Sequence, residues 1–220
     1  MTYCILIPSY NAEKTLGAVA AECLRKGVPV VVVDDGSTDG TARVAAALPV
    51  VLLRHEQNLG KGRALRTGFA WALEQGCEAV ITIDADGQHD VSAVERLYQF
   101  ARDNGVDLLI ASRHTQFVKM AGLRAFWNRF GVWCMRKRTG FEITDSQSGF
   151  RCYSAGLIRS LTLLADGYDL EMEILMKAWR KGFKIASLPV AARVADGRST
   201  SHFRPVRDTW NICKIFLRYM

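Results

Sequence analysis

Two aspartates one residue apart, Asp84 and Asp86 in the run IDADGQHD, are the sharpest chemical feature of this 220-residue sequence. They follow a short apolar segment and precede a glycine, which places them on a turn at a strand end. A pair of hard carboxylate oxygens suits Mg2+ or Mn2+ carried with a diphosphate, because these ions keep positions for water and phosphate oxygens. Gln88 adds a neutral oxygen two residues further on. An Asx turn with a helix N-cap accounts for one of the aspartates, not both.

Other strand ends carry polar groups as well. Pro8, Ser9, Tyr10 and Asn11 follow an apolar run at 3–7, and Asp34, Asp35, Gly36 and Ser37 follow one at 30–33. Ser112 and Arg113 follow another at 108–111. Ligands of open α/β sheets bind beyond the carboxyl ends of the strands. Each group taken singly is ordinary turn chemistry. Four strand ends delivering polar side chains to one edge are not.

The elements that must position these groups are legible as a rhythm. Strands are expected at 3–7 (ended by Pro8), 30–33, 50–53, 80–83 and 108–111. Helices are expected at 14–26, 41–47 (capped by Thr38 or Asp39), 61–75 and 92–103, and Gly27 and Gly76 stop two of them. The β-branched run at 30–33 reads as a strand covered on both faces. Such alternation with short connections predicts an α/β fold: a mostly parallel twisted sheet flanked by helices, Rossmann-like in its N-terminal half. Beyond residue 112 the rhythm breaks. A basic, aromatic helix over 119–138 precedes a strand near 150–153, helices at 155–163 and 170–181, a strand at 184–188, a loop ADGRSTSHFRP and a closing helix at 206–219. No repeat or linker divides the chain, so 1–220 reads as one domain with halves at 1–112 and 113–220.

Composition bounds the function. Apolar residues make up 49% of the chain and charged residues 23%, which excludes a disordered or collagen-like protein. The net charge of +7 points toward anionic partners. No apolar run reaches the roughly 18–20 residues that span a bilayer. The N-terminus lacks a basic n-region, and the six cysteines form no CxxC pair or metal-ligand spacing. They read as buried reduced thiols in a cytoplasmic protein. In 119–138, Lys119, Arg124, Arg129, Arg136, Lys137 and Arg138 accompany Met120, Leu123, Phe126, Trp127, Phe130, Trp133 and Cys134 at helical spacing. This pattern fits a helix lying at an anionic membrane surface, and equally a core-packed helix with solvated cations. QNLGKGRA lacks the first Walker glycine, since position 55 is His, but a helix opening at Lys61 can turn its free N–H groups toward a nucleotide.

PSYN, VVVDDGSTDGT, IDADGQHD, ASR and DSQSGFRCY, in this order and spacing, resemble the family-2 glycosyltransferases of the glycosyltransferase A-type fold. The branch most similar in pattern is that of the dolichyl- or polyprenyl-phosphate mannosyl and glucosyl transferases. The resemblance runs from about Tyr3 to Phe216. It implies an inverting, metal-dependent transfer from a GDP- or UDP-linked sugar to a lipid-phosphate acceptor, at the inner face of a membrane. It implies that Pro8 and Tyr10 line the nucleotide pocket, that Asp35 bonds the base beside Asp34, and that Asp84 faces the ribose or metal. Asp86 and Gln88 would hold Mn2+ or Mg2+ on the diphosphate. Arg113 would reach phosphate, and Arg129 would grip the acceptor phosphate with Ser148 and Arg151 nearby. Glu173 matches an acidic position on the helix after SGFR. Arg198, Ser199 and His202 stand where the branch has a Gly-x-Ser-Lys loop.

The acceptor decides whether a base is required. A phosphate monoester is largely dianionic at neutral pH and attacks without losing a proton. A hydroxyl needs a carboxylate or imidazole within reach, and Asp145 is the candidate for that alternative. A sugar-nucleotide pyrophosphorylase would need an N-terminal glycine-rich, basic loop, which PSYNAEK does not supply. A non-enzymatic anion-binding module, or a nucleic-acid binder, leaves the converging carboxylates unexplained.

Overall fold

The computed structural model describes residues 3–112, 145, 148–191, 210, 213–215 and 218–219. Arg113, Arg129, Arg198, Ser199 and His202, with the basic segment 119–138, lie outside the described residues.

Among the described residues seven strands form one sheet in the order β3-β2-β1-β4-β6-β5-β7. They are β1 (Tyr3–Ser9), β2 (Val30–Asp34), β3 (Val51–Arg54), β4 (Ala79–Thr82), β5 (Leu108–Ser112), β6 (Arg151–Ser154) and β7 (Ile185–Pro189). All pairings are parallel except those of β6, which runs antiparallel to both β4 and β5. Among the described residues the helices are α1 (Leu16–Leu24), α2 (Thr41–Ala46), α3 (Lys61–Glu74), α4 (Val94–Asp103), α5 (Ala155–Ser160) and α6 (Leu170–Arg180).

Side chains alternate across a strand, so a strand buried on both faces must be apolar at every position. Tyr3, Ile5 and Ile7 of β1 pack with α1, α2 and α4, whereas Cys4 and Leu6 pack with α3, α5 and α6. The same division separates Val30 and Val32 from Val31 and Val33. The continuous β-branched run is therefore explained by two helical layers.

Four expectations need correction. The N-cap of α2 is Gly40 and not Thr38 or Asp39, although Asp39 Oδ1 accepts from the Thr41 N–H at 2.9 Å. Pro8 does not end β1, which runs on to Ser9. Ile5 donates its N–H toward β2 and Leu6 accepts from Ile83 on the β4 side, so Pro8 turns its missing N–H toward β4. The β4 ladder has already ended at the pair Leu6↔Thr82, and no bond is lost. Helix α5 stops at Ser160, three residues short of the expected 163. The helix expected at 92–103 begins as a 3-10 turn, Val91–Ala93, with the Asp90 carboxylate accepting from the Ser92 N–H at 3.0 Å.

The β1–α1 and β2–α2 loops are laced together by side chains. Ser37 Oγ accepts from the Asn11 N–H at 2.9 Å, Thr41 Oγ1 from Ala12 at 2.8 Å, and Asn11 Oδ1 from the Thr38 N–H at 2.9 Å. Much of STDGT is therefore scaffolding. At Gly36 the backbone has φ +68°, and an added Cβ would lie 2.2 Å from the Gln57 carbonyl carbon. Gly36→Ala is expected to cost at least about 2 kcal/mol, since neither the left-handed conformation nor a backbone neighbour can yield cheaply. A drop in the urea midpoint at unchanged slope would check it.

Cys4, Cys23, Cys77 and Cys152 are buried, as read from the sequence, but Cys213 is exposed. Burial pushes the Cys23 and Cys152 thiols from their ordinary value of 9.0 up to about 12. In the unfolded chain these thiols ionise from about pH 9, while in the folded protein they keep their protons. Stability is thus expected to be insensitive to these groups below pH 9. It should fall by about 1.4 kcal/mol per pH unit per thiol above it. Urea midpoints measured from neutral to alkaline pH give the test, and a Cys23→Ala, Cys152→Ala double variant should flatten the decline.

Candidate active site

The strand order reverses at β1 and β4: β2 and β3 extend one way, and β4 the other. A crevice opens at such a switch point, beyond the carboxyl ends of the strands. Tyr10 follows β1 here, Asp34 and Asp35 stand at the end of β2, and Asp84 and Asp86 follow β4. Because β6 is antiparallel, its start at Arg151 lies at this same edge and brings Ser148 and Gly149 with it.

Lys61 organises the centre. Its Nζ lies 2.7 Å from Asp84 Oδ1 and 3.3 Å from Glu171 Oε1, and 5.6 Å from the centroid of the Tyr168 ring. It opens α3, whose first turn contains no acidic residue. A cation at a helix N-terminus opposes the macrodipole, so carboxylates from distant elements must compensate. Burial works against the Lys61 charge, yet Asp84 and Glu171 outweigh it and hold the ammonium well above the usual lysine range. Burial likewise opposes the Asp84 carboxylate. Lys61, together with the His89 hydrogen bond, holds it far below the usual range.

Asp86 is the unmatched partner. Its Oδ1 accepts from the Gln88 N–H at 3.0 Å, and burial followed by the nearby Asp84 charge raises its pKa. Two carboxylates and an amide on one turn form a hard-oxygen donor set. One member is still electrostatically strained by the other, and this fits a divalent cation. Among the described residues no three His, Cys, Asp or Glu side chains converge as a ready-made cage. Phosphate oxygens and water would complete the coordination of such an ion.

The other expected residues divide sharply. Asp34 is fully buried; its Oδ1 accepts from the Ser37 N–H at 3.1 Å and its Oδ2 lies 3.3 Å from Arg54 Nε. Asp35 Oδ1 meets His55 Nδ1 at 2.7 Å and accepts from the Leu59 N–H at 3.0 Å, while Oδ2 accepts from Gly60 at 2.8 Å. The Asp35 carboxylate therefore anchors the entry to α3, where its charge also favours the helix dipole. His55 Nε2 reaches Thr67 Oγ1 at 2.9 Å and completes that anchor. Pro8 and Tyr10 are half-buried at the edge.

On the β6 side, Asp145, Ser148 and Arg151 are all fully buried. Arg151 donates to the Ser148 carbonyl at 2.7 Å and to the Glu171 carbonyl at 3.0 Å. Burial opposes its charge, and Tyr153, Glu171 and Asp145 sustain it. The guanidinium thus ties β6 to α6 from inside the protein instead of standing open at the edge. Ser148 Oγ accepts from the Phe150 N–H at 3.3 Å and shapes the turn before the strand.

Three contributors escaped the sequence reading. Glu171, not Glu173, reaches Lys61; Glu173 accepts from the Leu164 and Ala165 N–H groups and pairs with Lys177. His89 packs against the Phe150 ring, 5.4 Å between centroids, with Nε2 3.2 Å from Asp84 Oδ2. Gly149 lets the β6 turn lie directly on Asp84, and Thr82 Oγ1 donates to its carbonyl at 2.7 Å. LEMEIL showed two acids on an apolar helix without indicating which faces the crevice. DADGQH showed the histidine without its partner.

A Rossmann-like half-sheet with paired aspartates at its switch point, extended by an antiparallel strand, is the architecture of a glycosyltransferase A-type enzyme. The chain matches Glycosyl transferase family 2 over residues 4–162 and belongs to that family. It is 33% identical over 199 residues to the undecaprenyl-phosphate mannosyltransferase of Micrococcus luteus, with 84% of this chain and 81% of that protein covered. It is 30% identical over 205 residues to the polyprenol monophosphomannose synthase of Mycolicibacterium smegmatis, covering 84% of this chain and 75% of that one. Among solved structures, glucosyl-3-phosphoglycerate synthase from Mycobacterium tuberculosis with Mn2+, UDP and phosphoglyceric acid superposes with a TM-score of 0.79 at 22% identity. The match covers 99% of this chain and 78% of that one. The same enzyme has also been solved with Mg2+ and UDP.

Proposed function

We propose that this glycosyltransferase moves a sugar from a GDP- or UDP-linked donor to a polyprenyl-phosphate-type lipid, with inversion at the anomeric carbon. Residues 1–112 serve as the donor half and 113–220 as the acceptor half. The diphosphate lies at the β1–β4 switch point, beside Lys61 and the amides that open α3. Pro8 and Tyr10 flank the nucleotide, and Asp34 and Asp35 fix the loop behind it. Asp84, Asp86 and Gln88 would hold Mn2+ or Mg2+, which supplies positive charge where the leaving diphosphate becomes more negative. Arg198 and Ser199 would serve the donor phosphates, and Arg113 and Arg129 the acceptor phosphate.

In the reaction a phosphate oxygen attacks the anomeric carbon as the bond from that carbon to the diphosphate breaks. The bonding electrons leave on the diphosphate oxygen, and no proton need move. The observation that carries this choice of acceptor is Asp145, a fully buried residue. A hydroxyl acceptor requires a base within hydrogen-bond reach, and a sealed carboxylate does not provide one. The names of the two bacterial relatives support a polyprenyl carrier.

Among the described residues no helix is long and apolar enough to cross a membrane. We place the enzyme peripherally at the inner, cytoplasmic face, drawn to anionic lipid by the basic, tryptophan-bearing 119–138 segment. Flotation with anionic vesicles, lost in Trp127→Glu, checks that placement.

The function itself is tested by supplying GDP-mannose, UDP-glucose and UDP-N-acetylglucosamine with Mn2+, each with a short polyprenyl phosphate and with the matching prenol. Transfer to the phosphate alone, from one nucleotide class, is the expected result. Transfer to the prenol hydroxyl would overturn the proposed acceptor.

A further inference from the structure

We propose that Lys61 is a built-in counter-ion for Asp84, which keeps the divalent ion out until a nucleoside diphosphate brings it in. The proposal rests on the reading above that Asp84 and Asp86 hold such an ion. It adds an order to the binding, and it assigns that order to one side chain.

Both oxygens of Asp84 are engaged: Oδ1 by the Lys61 ammonium at 2.7 Å, and Oδ2 by His89 Nε2 at 3.2 Å. A divalent ion arriving alone must displace the ammonium or share the carboxylate with it. Two cations a few ångströms apart in a partly buried site repel strongly. The pair therefore presents Asp86 to a metal, with Asp84 already neutralised by its neighbour.

A diphosphate changes this balance, because its several negative charges lie between the two cations and attract both. Lys61 has somewhere to go. Glu171 Oε1 lies 3.3 Å from its Nζ and faces the same ammonium, so the lysine can release Asp84 while keeping a carboxylate partner. The Tyr168 ring, 5.6 Å away, supports the cation as it shifts. The base of the side chain does not have to move, because Asp35 holds the amides of Leu59 and Gly60 immediately before it. The device is a mobile ammonium on a fixed helix start, placed between two carboxylates from different elements. Coupling is reciprocal, so the metal must tighten nucleotide by the same factor as nucleotide tightens metal.

The test is Mn2+ binding, followed by the electron paramagnetic resonance signal of free Mn2+ and requiring no turnover. Wild type, Lys61→Met and Lys61→Arg are titrated without nucleotide, with GDP and with UDP. In wild type the matching nucleoside diphosphate is expected to tighten Mn2+ by about tenfold or more. Lys61→Met, which keeps the buried stem and removes the charge, should bind Mn2+ about tenfold tighter without nucleotide and lose most of the coupling. Lys61→Arg should behave as wild type. Lys61→Gln replaces the methionine variant if that one lacks a cooperative unfolding transition. Unchanged or weaker Mn2+ binding by the uncharged variant, while Asp86→Asn loses the Mn2+ binding that wild type shows, overturns this proposal and leaves the metal assignment standing. Wild type that binds no Mn2+ even with both nucleotides overturns the metal assignment, and this proposal with it.

Discussion

Asp86→Asn is expected to lower sugar transfer by about three orders of magnitude while leaving the protein as stable as before. The residue is half-buried on a turn, and among the described residues its Oδ1 accepts from the Gln88 N–H, which an asparagine oxygen can still do. No core contact is lost. What disappears is a carboxylate whose pKa is raised by burial and by Asp84, so the substitution relieves repulsion between the two side chains. Stability should therefore hold or rise slightly, which separates a catalytic defect from a folding one. The activity estimate follows from losing an electrostatic contact at the leaving group, where single contacts are worth about 10²–10³ in rate and a metal ligand lies at the upper end. Turnover measured beside the urea midpoint decides the matter. A loss under tenfold would mean that the diphosphate is neutralised elsewhere.

Gly149→Ala is expected to be the next most damaging change, although it adds one methyl group outside the donor strands. A Cβ there would lie 2.3 Å from Asp84 Oδ2 and 2.6 Å from Oδ1. The carboxylate cannot swing aside freely, because Lys61 and His89 hold its two oxygens. The β6 turn cannot retreat either, since Thr82 Oγ1 holds the Gly149 carbonyl and β6 is paired on both sides. Asp84 must move by about an ångström, and a displacement of that size at a positioned group costs roughly 10²-fold in rate. Overpacking should also remove about 1–3 kcal/mol of stability. Gly156→Ala is the matched control. Its Cβ would approach nothing closer than Ser154 Oγ at 3.9 Å within α5, so it should be neutral or mildly stabilising. Donor affinity and turnover measured for both variants would show whether the loss is local to Asp84.

These two residues mark the boundary of what could be read in advance. Asp86 announces itself, because a carboxylate pair after an apolar strand and before a glycine has few other uses. Gly149 does not. Its importance depends on β6 inserting between β4 and β5, and a four-residue strand carries no mark of its neighbours or its direction. Asp34 and Asp35 illustrate the converse. Their position after a buried strand was readable, but their carboxylates bond Ser37, Arg54, His55, Leu59 and Gly60, so their first duty is to the loops. Arg151 follows the same pattern: a charge in a polar motif proved to be an internal tether between β6 and α6.

Local chemistry was therefore set by the chain's own order of residues. Side-chain period distinguishes strand from helix, glycine and proline punctuate them, and paired aspartates on one turn remain paired whatever surrounds them. Folding alone decided which distant charges meet. Lys61, Asp84 and Glu171 come from α3, the β4 turn and α6, and no spacing rule relates positions 61, 84 and 171. They converge because α3 and α6 pack in one helical layer on the same face of the sheet, beside the turn that follows β4, and a buried ammonium cannot remain in an apolar layer without carboxylates beside it.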